Sequence, residues 1–254
     1  MSTSPVNPSP TAAPAAPRPL RPRRRSTLNY FVARTLDDVL EAWNLVYLAY
    51  RRAELIDANP FELHAIPQAI GPQSVVITGC LGPMAGTTLS AYVDNPGGLP
   101  LDSVYPDELA DLRKQGRKLM EVGLFGDRRD HLIRSADSLF DLMRFAYYYG
   151  IHSNCDDAII GIHPRHAPFY QRFFALEPIG AVRDYATVKN NPVVLLRLNF
   201  RAKRDSMPKG LSFFSNNQIP ASVFESRYKF EPASLVDSTL ERYMAHKAKT
   251  AKAA

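Results

Sequence analysis

Glu121 is the first residue of this sequence with a clear capacity for chemistry, because it stands inside the apolar segment KLMEVGLF, residues 118–125. A carboxylate within an apolar strand costs free energy unless it is ion-paired or hydrogen-bonded. Burial also raises the pKa of a carboxyl group, which suits it to act as a general base near neutral pH. The alternative is a residue that faces solvent or pairs with Arg117. The sequence nominates Glu121 as a base and leaves both interpretations open.

The loop GDRRDHLIRS, which follows that segment, carries groups that bind anions. Arg128, Arg129 and Arg134 supply guanidinium groups, and Ser135 stands where the next helix is predicted to begin. Free N–H groups at a helix start attract phosphate, and arginine binds phosphate through paired hydrogen bonds. Many helices follow charged loops, so a phosphate site and an ordinary charged loop both fit this pattern.

The stretch HPRHAPFYQRFFALEPIG contains two histidines and an aromatic run. His163 and His166 do not make a metal set, because no cysteine pair or His/Asp group stands nearby at ligand spacing. Phe169, Tyr170 and Phe173 are typical of a helix face that packs on a core. Tyr170 also has a hydroxyl that can act as an acid if it reaches a pocket. We therefore expect no bound metal, and a helix with one core face and one pocket face.

Composition narrows the class of protein. The chain has 254 residues, 45% hydrophobic and 22% charged, as in ordinary globular proteins. No apolar run approaches the roughly 18 residues that span a bilayer, and no apolar signal segment is visible at the N-terminus. The two cysteines, Cys80 and Cys155, argue against a disulfide framework and favour a cytoplasmic protein.

The positive charge lies at the two ends of the chain. The total is +6, while residues 1–25 and 200–254 each carry +5, which leaves −4 for residues 26–199. This distribution argues against a nucleic-acid-binding core. Residues 1–27 are rich in Pro, Ala and Arg and are predicted to be disordered. Their basic PRRR sequence fits contact with an acidic carrier protein or a peripheral contact with a membrane surface, and a solubilising tail is the simpler interpretation.

Hydrophobic periodicity outlines the scaffold that must position these residues. Thr35 is a predicted N-cap, and the helix after it repeats apolar residues at four-three-four-three spacing: Leu36, Leu40, Trp43, Tyr47 and Tyr50. Strands are predicted at 29–33, 73–79, 87–94, 118–125, 157–162, 178–182 and 193–200. Helices are predicted at 36–55, 106–115, 136–149, 165–175 and 235–245. This order predicts an α+β fold with a mixed central sheet of about seven strands and helices on both faces.

The same pattern divides the chain into segments. Residues 28–200 are predicted to form one domain, and residues 201–245 an extension that docks on it through aromatic side chains. Residues 246–254 are predicted to be a frayed tail.

Several segments together resemble a known family. The helix PRHAPFYQRFFALEPIG between the fifth and sixth strands resembles the Gcn5-related N-acyltransferase (GNAT) fold. The segments LVYLAYRRAELIDANP, DNPGGLPLDSVYPDELADLRKQGRK and LMEVGLFG are similar to N-acyl amino acid synthases of the FeeM type, which are related to acyl-homoserine-lactone synthases. The resemblance covers about residues 29–200.

The resemblance implies an N-acyltransferase that moves a fatty acyl group from a thioester, usually on acyl carrier protein, to the α-amine of an amino acid. It implies no permanently bound cofactor, and an acyl-phosphopantetheine thioester, on carrier protein or CoA, as co-substrate. Two central strands, here 118–126 and 157–162, should splay apart to hold the pantetheine arm. Gly123 suits a bulge at that splay, and the backbone N–H of Gly123 or Leu124 would stabilise the oxyanion.

The resemblance also implies roles for the side chains. Glu121 would take the proton of the amine, and Tyr170 would protonate the departing thiolate. The arginines and the serine of the charged loop would hold the phosphate. An apolar tunnel for the acyl chain would be lined by aromatic residues, for each of which plain core packing is the alternative: Trp43, Tyr47, Tyr50, Phe169 and Phe173.

Two departures from related families refine the prediction. The acetyl-CoA signature Q/R-x-x-G-x-G/A is replaced by GDRRDHLIRS, which favours a carrier-bound donor. Leu124 stands where the lactone synthases carry the arginine of a Glu-x-x-Arg pair, which argues against adenosylmethionine as a substrate. The remaining alternatives are a lactone synthase or CoA-dependent acetyltransferase of the same fold, and a non-catalytic binding module. The last would be favoured by a solvent-exposed Glu121 with no tunnel beside it.

Overall fold

A computed structural model describes residues 28–128, 136–202 and 218–253. The strands are β1 (Asn29–Val32), β2 (Ser74–Leu81), β3 (Met84–Val93), β4 (Leu119–Asp127), β5 (Asp157–Ile162), β6 (Glu177–Pro178), β7 (Arg183–Tyr185) and β8 (Asn191–Asn199). The α-helices are α1 (Leu36–Arg52), α2 (Pro106–Lys114), α3 (Ala136–His152), α4 (Ala167–Phe174), α5 (Ala221–Glu225), α6 (Pro232–Leu235) and α7 (Thr239–Ala253). Within these ranges, no helix combines the length and apolarity that a bilayer crossing requires.

The strands form one mixed sheet in the order β1-β2-β3-β4-β5-β8-β6, with β7 also on β8. Every pairing is antiparallel except that of β4 with β5. This confirms the predicted α+β fold with a mixed sheet and surrounding helices. The predicted strand at 178–182 is largely wrong, because only Pro178 lies in a strand, β6, and β7 begins at Arg183; with these two short strands the sheet has eight. Gly180, between them, lies against the ring of Tyr105, where a Cβ would come within 2.7 Å of a ring carbon.

Helix α1 begins as the sequence predicts, since Thr35 and Asp38 form a capping box. The Thr35 hydroxyl accepts from the Asp38 N–H at 3.1 Å, and the Asp38 carboxylate accepts from the Thr35 N–H at 3.0 Å. The helix ends at Arg52, three residues before the predicted end. Its buried stripe is broader than the predicted face, because the helix lies flat across the sheet and also buries Val39 and Val46 completely.

The sheet separates two hydrophobic cores. One face of β4 presents Met120 and Val122 to the core formed with α3 and α4. The other face presents Leu119 and Leu124 to the core formed with α1, α2 and α7. Because side chains alternate along a strand, Glu121 shares the face of Leu119.

Strands β4 and β5 part in the middle of the sheet. Their only residue pairs are Leu119 with Asp157, Met120 with Ala158, and Glu121 with Ile159, although both strands continue further. The predicted splay is therefore confirmed, and it opens at Glu121.

The bulge in β4 lies one residue beyond the predicted position. The pairing of β3 with β4 shifts register between Thr88 and Ser90, and Leu124 takes a left-handed conformation with φ of 50°. Such a conformation is uncommon for a residue with a branched side chain. Gly123 has a different role, since a Cβ there would stand 2.8 Å from the Tyr92 hydroxyl.

The C-terminal segment packs on the α1 face. The Phe230 ring stacks on Trp43 with centroids 5.7 Å apart, and the Tyr228 N–H donates to the Ala33 carbonyl at 2.7 Å. Leu240 of α7 is completely buried. Helix α7 continues to Ala253, whereas the sequence predicts a helix end near 245 and a frayed tail after it.

Candidate active site

Glu121 is buried and hydrogen-bonded at both carboxylate oxygens. Glu121 is only 5% exposed. Its Oε1 accepts a hydrogen bond from the Tyr92 hydroxyl at 3.2 Å, and its Oε2 accepts one from the Leu101 N–H at 3.1 Å. Arg117 binds Asp157 instead, so the ion-pair interpretation of Glu121 is wrong. Burial raises the pKa of Glu121 from 4.5 to about 8, against the opposing effect of the two hydrogen bonds. A carboxyl group with this pKa is mostly protonated at pH 7 and becomes an effective base as the pH approaches 8.

Two neighbouring elements hold Glu121 in place. Strand β3 places Tyr92 directly opposite Glu121 in the antiparallel register. A short 3₁₀ helix, Pro100–Ser103, brings the Leu101 N–H to the other oxygen.

The loop that contains this 3₁₀ helix is fixed by an arginine. Arg113 of α2 donates to Asp94 and to Asp102, each at 2.6 Å, and these two aspartates lie at opposite ends of the loop. The negative charges of Asp102 and Asp94 add to the rise in the pKa of Glu121. The hydrogen bonds of Arg113 to Asp94 and Asp102 therefore fix the loop that positions Glu121, and the two aspartates raise the pKa of Glu121.

A cavity of about 300 Å³ opens beside Glu121. Its wall comes from α1, the segment before β2, β3, the 95–105 loop, β4, β5, the segment after β7 and α7. The lining residues are Tyr50, His64, Ile66, Pro67, Gln68, Tyr92, Pro100, Leu101, Ser103, Glu121, Val122, Gly123, Leu124, Gly161, Tyr185, Thr187, Val188 and Lys247. The cavity thus reaches β4 and β5 where the two strands part.

Three phenols surround this cavity and remain protonated at neutral pH. Burial raises the pKa of Tyr92 well above 10, and the Glu121 charge raises it further. Burial also raises the pKa of Tyr50 and of Tyr185. The Tyr92 hydroxyl already donates to Glu121 and the Tyr185 hydroxyl to the Pro100 carbonyl, so these two phenols hold the wall of the cavity in place.

The segment before β2 and helix α7 bring two nitrogen groups to the cavity wall, the imidazole of His64 and the ammonium of Lys247. His64 is buried against the ring of Tyr50, at 4.8 Å between centroids, and burial lowers its pKa to about 3, so its imidazole is neutral. Lys247 of α7 donates to the Ala65 carbonyl at 2.7 Å. Burial lowers the pKa of Lys247.

Of the three residues on α1 that are predicted to line an acyl tunnel, one lies at the cavity and two are buried elsewhere. Tyr50 lines the cavity beside Glu121, while its predicted place in an acyl-chain tunnel stays a prediction. Trp43 is fully buried, donates to the Ser90 hydroxyl at 3.2 Å and stacks on Phe230, so it is a core residue. Tyr47 is also buried and does not contribute to the described cavity wall. The difference arises because Tyr50 lies in the last turn of α1, beside the cavity, while Trp43 faces the sheet.

The aromatic residues of α4 form a separate cluster on the opposite face of the sheet. Phe140 of α3 contacts Phe169 and Phe173, with centroids 6.2 and 5.8 Å apart, and Tyr170 packs on Phe174 at 5.6 Å. Phe173 is 37% exposed. Burial raises the pKa of Tyr170 to about 12. Tyr170 is not among the described residues of the Glu121 cavity, but its charge, if ionised, would raise the pKa of Tyr50.

The proposed anion loop is described only in part. Arg128 lies at the end of β4, where its Nε donates to the Ala85 carbonyl at 2.7 Å. Arg129, Arg134 and Ser135 lie outside the described residues. The predicted phosphate site therefore stays a prediction.

The two histidines of the PRHAPFY segment have a local role. The His163 ring accepts from the Arg165 N–H at 3.2 Å, and the His166 ring contacts the Arg165 side chain at 3.1 Å. Across the described residues, no group of three His, Cys, Asp or Glu side chains is arranged to hold a metal ion. These histidines instead shape the turn that leads from β5 into α4.

Sequence reasoning missed three parts of this site, namely the Tyr92 hydroxyl, the Leu101 N–H and Lys247. Tyr92 stood in a predicted strand, but its position opposite Glu121 depends on the register of two strands. The GLPLDSVYPDEL segment offered a signal for Leu101, since an insertion between strands often carries site residues. Nothing in the local sequence of α7 indicated Lys247.

The assembled site can catalyse transfer from a thioester to an amine. Glu121 is placed where it could act as a base, the bulge in β4 leaves backbone groups outside the regular ladder, and the cavity reaches β4 and β5 where they part. A further protonated phenol, that of Tyr170, lies on the other face of the sheet.

Comparison with known proteins agrees with this arrangement. The sequence matches the model of the family described as N-acyl amino acid synthase FeeM over residues 41–199. The solved structure of FeeM, an N-acyl amino acid synthase from uncultured soil microbes, is 25% identical, with a TM-score of 0.63 over 70% of this chain and 94% of that one.

Two lactone synthases share the fold. The acyl-homoserine-lactone synthase LasI has a TM-score of 0.52 and 12% identity, over 76% of this chain and 96% of its own. The CoA-dependent lactone synthase BjaI, solved with MTA, has a TM-score of 0.54 and 13% identity, over 78% of this chain and 98% of its own. Among curated proteins there is no significant match.

Proposed function

Because the chain belongs to the FeeM family of N-acyl amino acid synthases and is an N-acyltransferase, we propose that it transfers a fatty acyl group from the phosphopantetheine thioester of an acyl carrier protein to the α-amine of an amino acid. The observation that carries this proposal is Glu121, a buried carboxylate with a pKa of about 8 at the point where β4 and β5 part. A non-catalytic module would be favoured by an exposed Glu121 without a cavity, and neither condition holds.

In the proposed reaction the acceptor occupies the cavity beside Glu121. The amine nitrogen attacks the thioester carbon, and its proton passes to the Glu121 carboxylate, directly or through a water molecule. The C–N bond forms as the C–S bond breaks, and the phosphopantetheine leaves as a thiol after receiving a proton. Holding amine, base and thioester together would account for much of the acceleration.

Backbone groups near the bulge are proposed to stabilise the oxyanion. Leu124 departs from regular strand geometry, with φ of 50°, directly where β4 has left β5. The N–H of Gly123 or Leu124 would donate to the thioester oxygen as negative charge develops on it.

The donor is proposed to approach from the α3 and α4 face. Helix α3 follows β4 and helix α4 follows β5, so the Phe140–Phe169 contact joins the elements that leave the two splayed strands. The half-exposed rings of Phe169 and Phe173 suit a fatty acyl chain. Tyr170, in the same cluster and protonated at neutral pH, would give its proton to the thiolate.

The arginines of the loop after β4 are proposed to bind the phosphate of a carrier-bound phosphopantetheine, and the basic N-terminal PRRR sequence to contact the acidic carrier protein or a membrane surface. A cytoplasmic location is proposed with them, because Cys80 and Cys155 are both unpaired and buried.

The test uses the purified full chain with dodecanoyl acyl carrier protein and, in parallel, dodecanoyl-CoA, each with a mixture of the common amino acids. We expect N-dodecanoyl amino acids by mass spectrometry, with a higher kcat/KM for the carrier-bound donor. Acyl transfer to adenosylmethionine with lactone release, or transfer restricted to acetyl-CoA, would refute the proposal. Lipid extraction from a bacterial host that expresses the protein would identify the acceptor independently.

A further inference from the structure

We propose that Lys247 binds the α-carboxylate of the acceptor amino acid, and that the site selects acceptors with an uncharged side chain. This inference rests on the proposed function, since it assigns the acceptor subsite of the same cavity. Its evidence lies in α7, which is outside the residues that match the family model.

The first argument is the charge of the cavity. Among the described residues that line it, Lys247 is the only Lys or Arg, and Glu121 is the only Asp or Glu. The neighbouring His64 is neutral. A free amino acid carries an ammonium group and a carboxylate on one carbon atom, so a cavity with one acid and one base matches both. When the amine faces Glu121, the carboxylate has Lys247 as its only cationic partner in that wall.

The second argument is the hydrogen-bonding capacity of Lys247. Its ammonium has three protons, and one of them is donated to the Ala65 carbonyl at 2.7 Å. Two protons remain for a ligand. Partial burial lowers the pKa of Lys247, and a carboxylate in the cavity would stabilise the charged ammonium through a charge-assisted hydrogen bond.

The third argument is that α7 is held firmly at this position. Tyr243, one turn before Lys247, bonds through its hydroxyl to both the N–H and the carbonyl of Ala65, each at 3.3 Å. The Phe61 ring packs on Tyr243 and on His246, with centroids 6.0 and 5.6 Å apart. Lys247 is therefore directed into the cavity by fixed contacts on the preceding turn.

The same inventory of charges restricts the acceptor side chain. A second carboxylate, as in aspartate or glutamate, would lack a second cation in the described wall, and a second ammonium, as in lysine, would lack a second anion. Buried charges without partners are costly. The remaining wall carries no charged side chain and consists of apolar residues, phenols and uncharged polar residues such as Gln68, Ser103 and Thr187, which suits a neutral side chain.

The experiment compares Lys247→Met with wild type, using dodecanoyl acyl carrier protein and matched acceptors. L-leucine and L-phenylalanine are compared with isopentylamine and phenethylamine, which lack the carboxylate. We expect the KM for the amino acids to rise about 10- to 100-fold in the variant, since a hydrogen bond to a charged group is lost. The KM values for the two amines should stay unchanged, so the preference for amino acids should collapse. Lys249→Met, at an exposed position on the same helix, is the matched control.

A rescue experiment separates charge from packing. Lys247→Cys should behave like Lys247→Met, and aminoethylation of that cysteine should restore the low KM for amino acids, with identically treated wild type as the reference. A variant that acylates the amines at the wild-type rate is folded and active.

Two results would overturn the inference. One is a Lys247→Met enzyme that keeps the wild-type preference for amino acids over amines. The other is an equal loss with both kinds of acceptor, without rescue by aminoethylation, which would assign Lys247 a structural role. If wild-type protein acylates the amines but no amino acid, the proposed function itself is refuted, and the role of Lys247 with it.

Discussion

Replacement of Glu121 by glutamine tests the central feature of the site, because it removes the base and leaves the shape almost unchanged. If Glu121 accepts the proton of the amine, kcat/KM should fall by roughly 10²- to 10⁴-fold. In wild type, kcat/KM should rise with pH, and the midpoint of this rise should lie near pH 8, since only the ionised carboxylate is a base. The variant should lack this limb.

The effect of Glu121→Gln on the free energy of unfolding follows from the burial of the Glu121 carboxyl group. The displacement of its pKa from 4.5 to about 8 corresponds to roughly 5 kcal/mol in favour of the neutral form, at about 1.36 kcal/mol per pKa unit. Because the folded pKa is raised, the stability that Glu121 contributes is complete below about pH 4.5 and is lost as the pH rises through 8. The free energy of unfolding of Glu121→Gln should therefore increase relative to wild type across this window, by at most roughly 5 kcal/mol.

The assay is acyl transfer measured by thiol release from pH 6 to 10, with urea unfolding at the same pH values. The amine acceptor also titrates, but that limb belongs to the substrate and should be present in both enzymes. Glu54→Gln, at an exposed carboxylate, is the matched control. Near-normal transfer by Glu121→Gln, or a wild-type limb near pH 8 that persists in the variant, would refute the assignment of Glu121 as the base.

Three further outcomes follow from the same geometry. Tyr92→Phe removes a hydrogen bond that lowers the pKa of Glu121, so the midpoint of the pH–rate profile should move upward by roughly one unit. Tyr170→Phe should lower kcat by at least about tenfold with little change in KM, because the thiolate would leave without a proton, and thiol release from single turnovers measures this. Asp157→Asn should lower the free energy of unfolding by about 3 kcal/mol in urea, because Asp157 is fully buried between Arg117 and Arg197.

Each of these outcomes has a result that contradicts it. An unchanged pH midpoint in Tyr92→Phe would mean that its hydroxyl does not control Glu121. A Tyr170→Phe enzyme with wild-type kcat would remove Tyr170 as the acid. Asp107→Asn, at an exposed position, should change stability by less than about 0.5 kcal/mol, and an equal effect of Asp157→Asn would contradict the importance of the buried pairs.

The parts of this molecule that the sequence predicts correctly are those set by short-range patterns. The strand that carries Glu121 follows from its apolar run, while the sequence leaves the burial of Glu121 open. The start of α1 follows from Thr35 as an N-cap with an acidic first turn. The splay beside Glu121 is implied by the family resemblance and not by local chemistry.

The missed parts depend on contacts between distant segments. Lys247 lies in a polar, alanine-rich segment that would look the same as a frayed tail, and its position is set by Tyr243 and Ala65, which are 178 residues apart. Trp43 and Tyr50 lie on the same predicted helix face, and the contacts that place Trp43 in the core, with Ser90 and Phe230, come from distant segments. Residues 179–182, which the sequence predicts as strand, instead pass the ring of Tyr105 at Gly180, a contact with a residue distant in the chain.

The parting of β4 from β5 also bears on how the molecule opens to solvent. The two strands share three residue pairs, while β2–β3 and β5–β8 form long antiparallel ladders. Local opening in native proteins follows boundaries between cooperative units, and a short ladder is such a boundary. Amide hydrogen exchange should therefore distinguish a unit of β1 to β4 from a unit of β5 to β8. A substrate that bridges the two strands would join these units, so that catalysis takes place at the seam where the fold is least continuous.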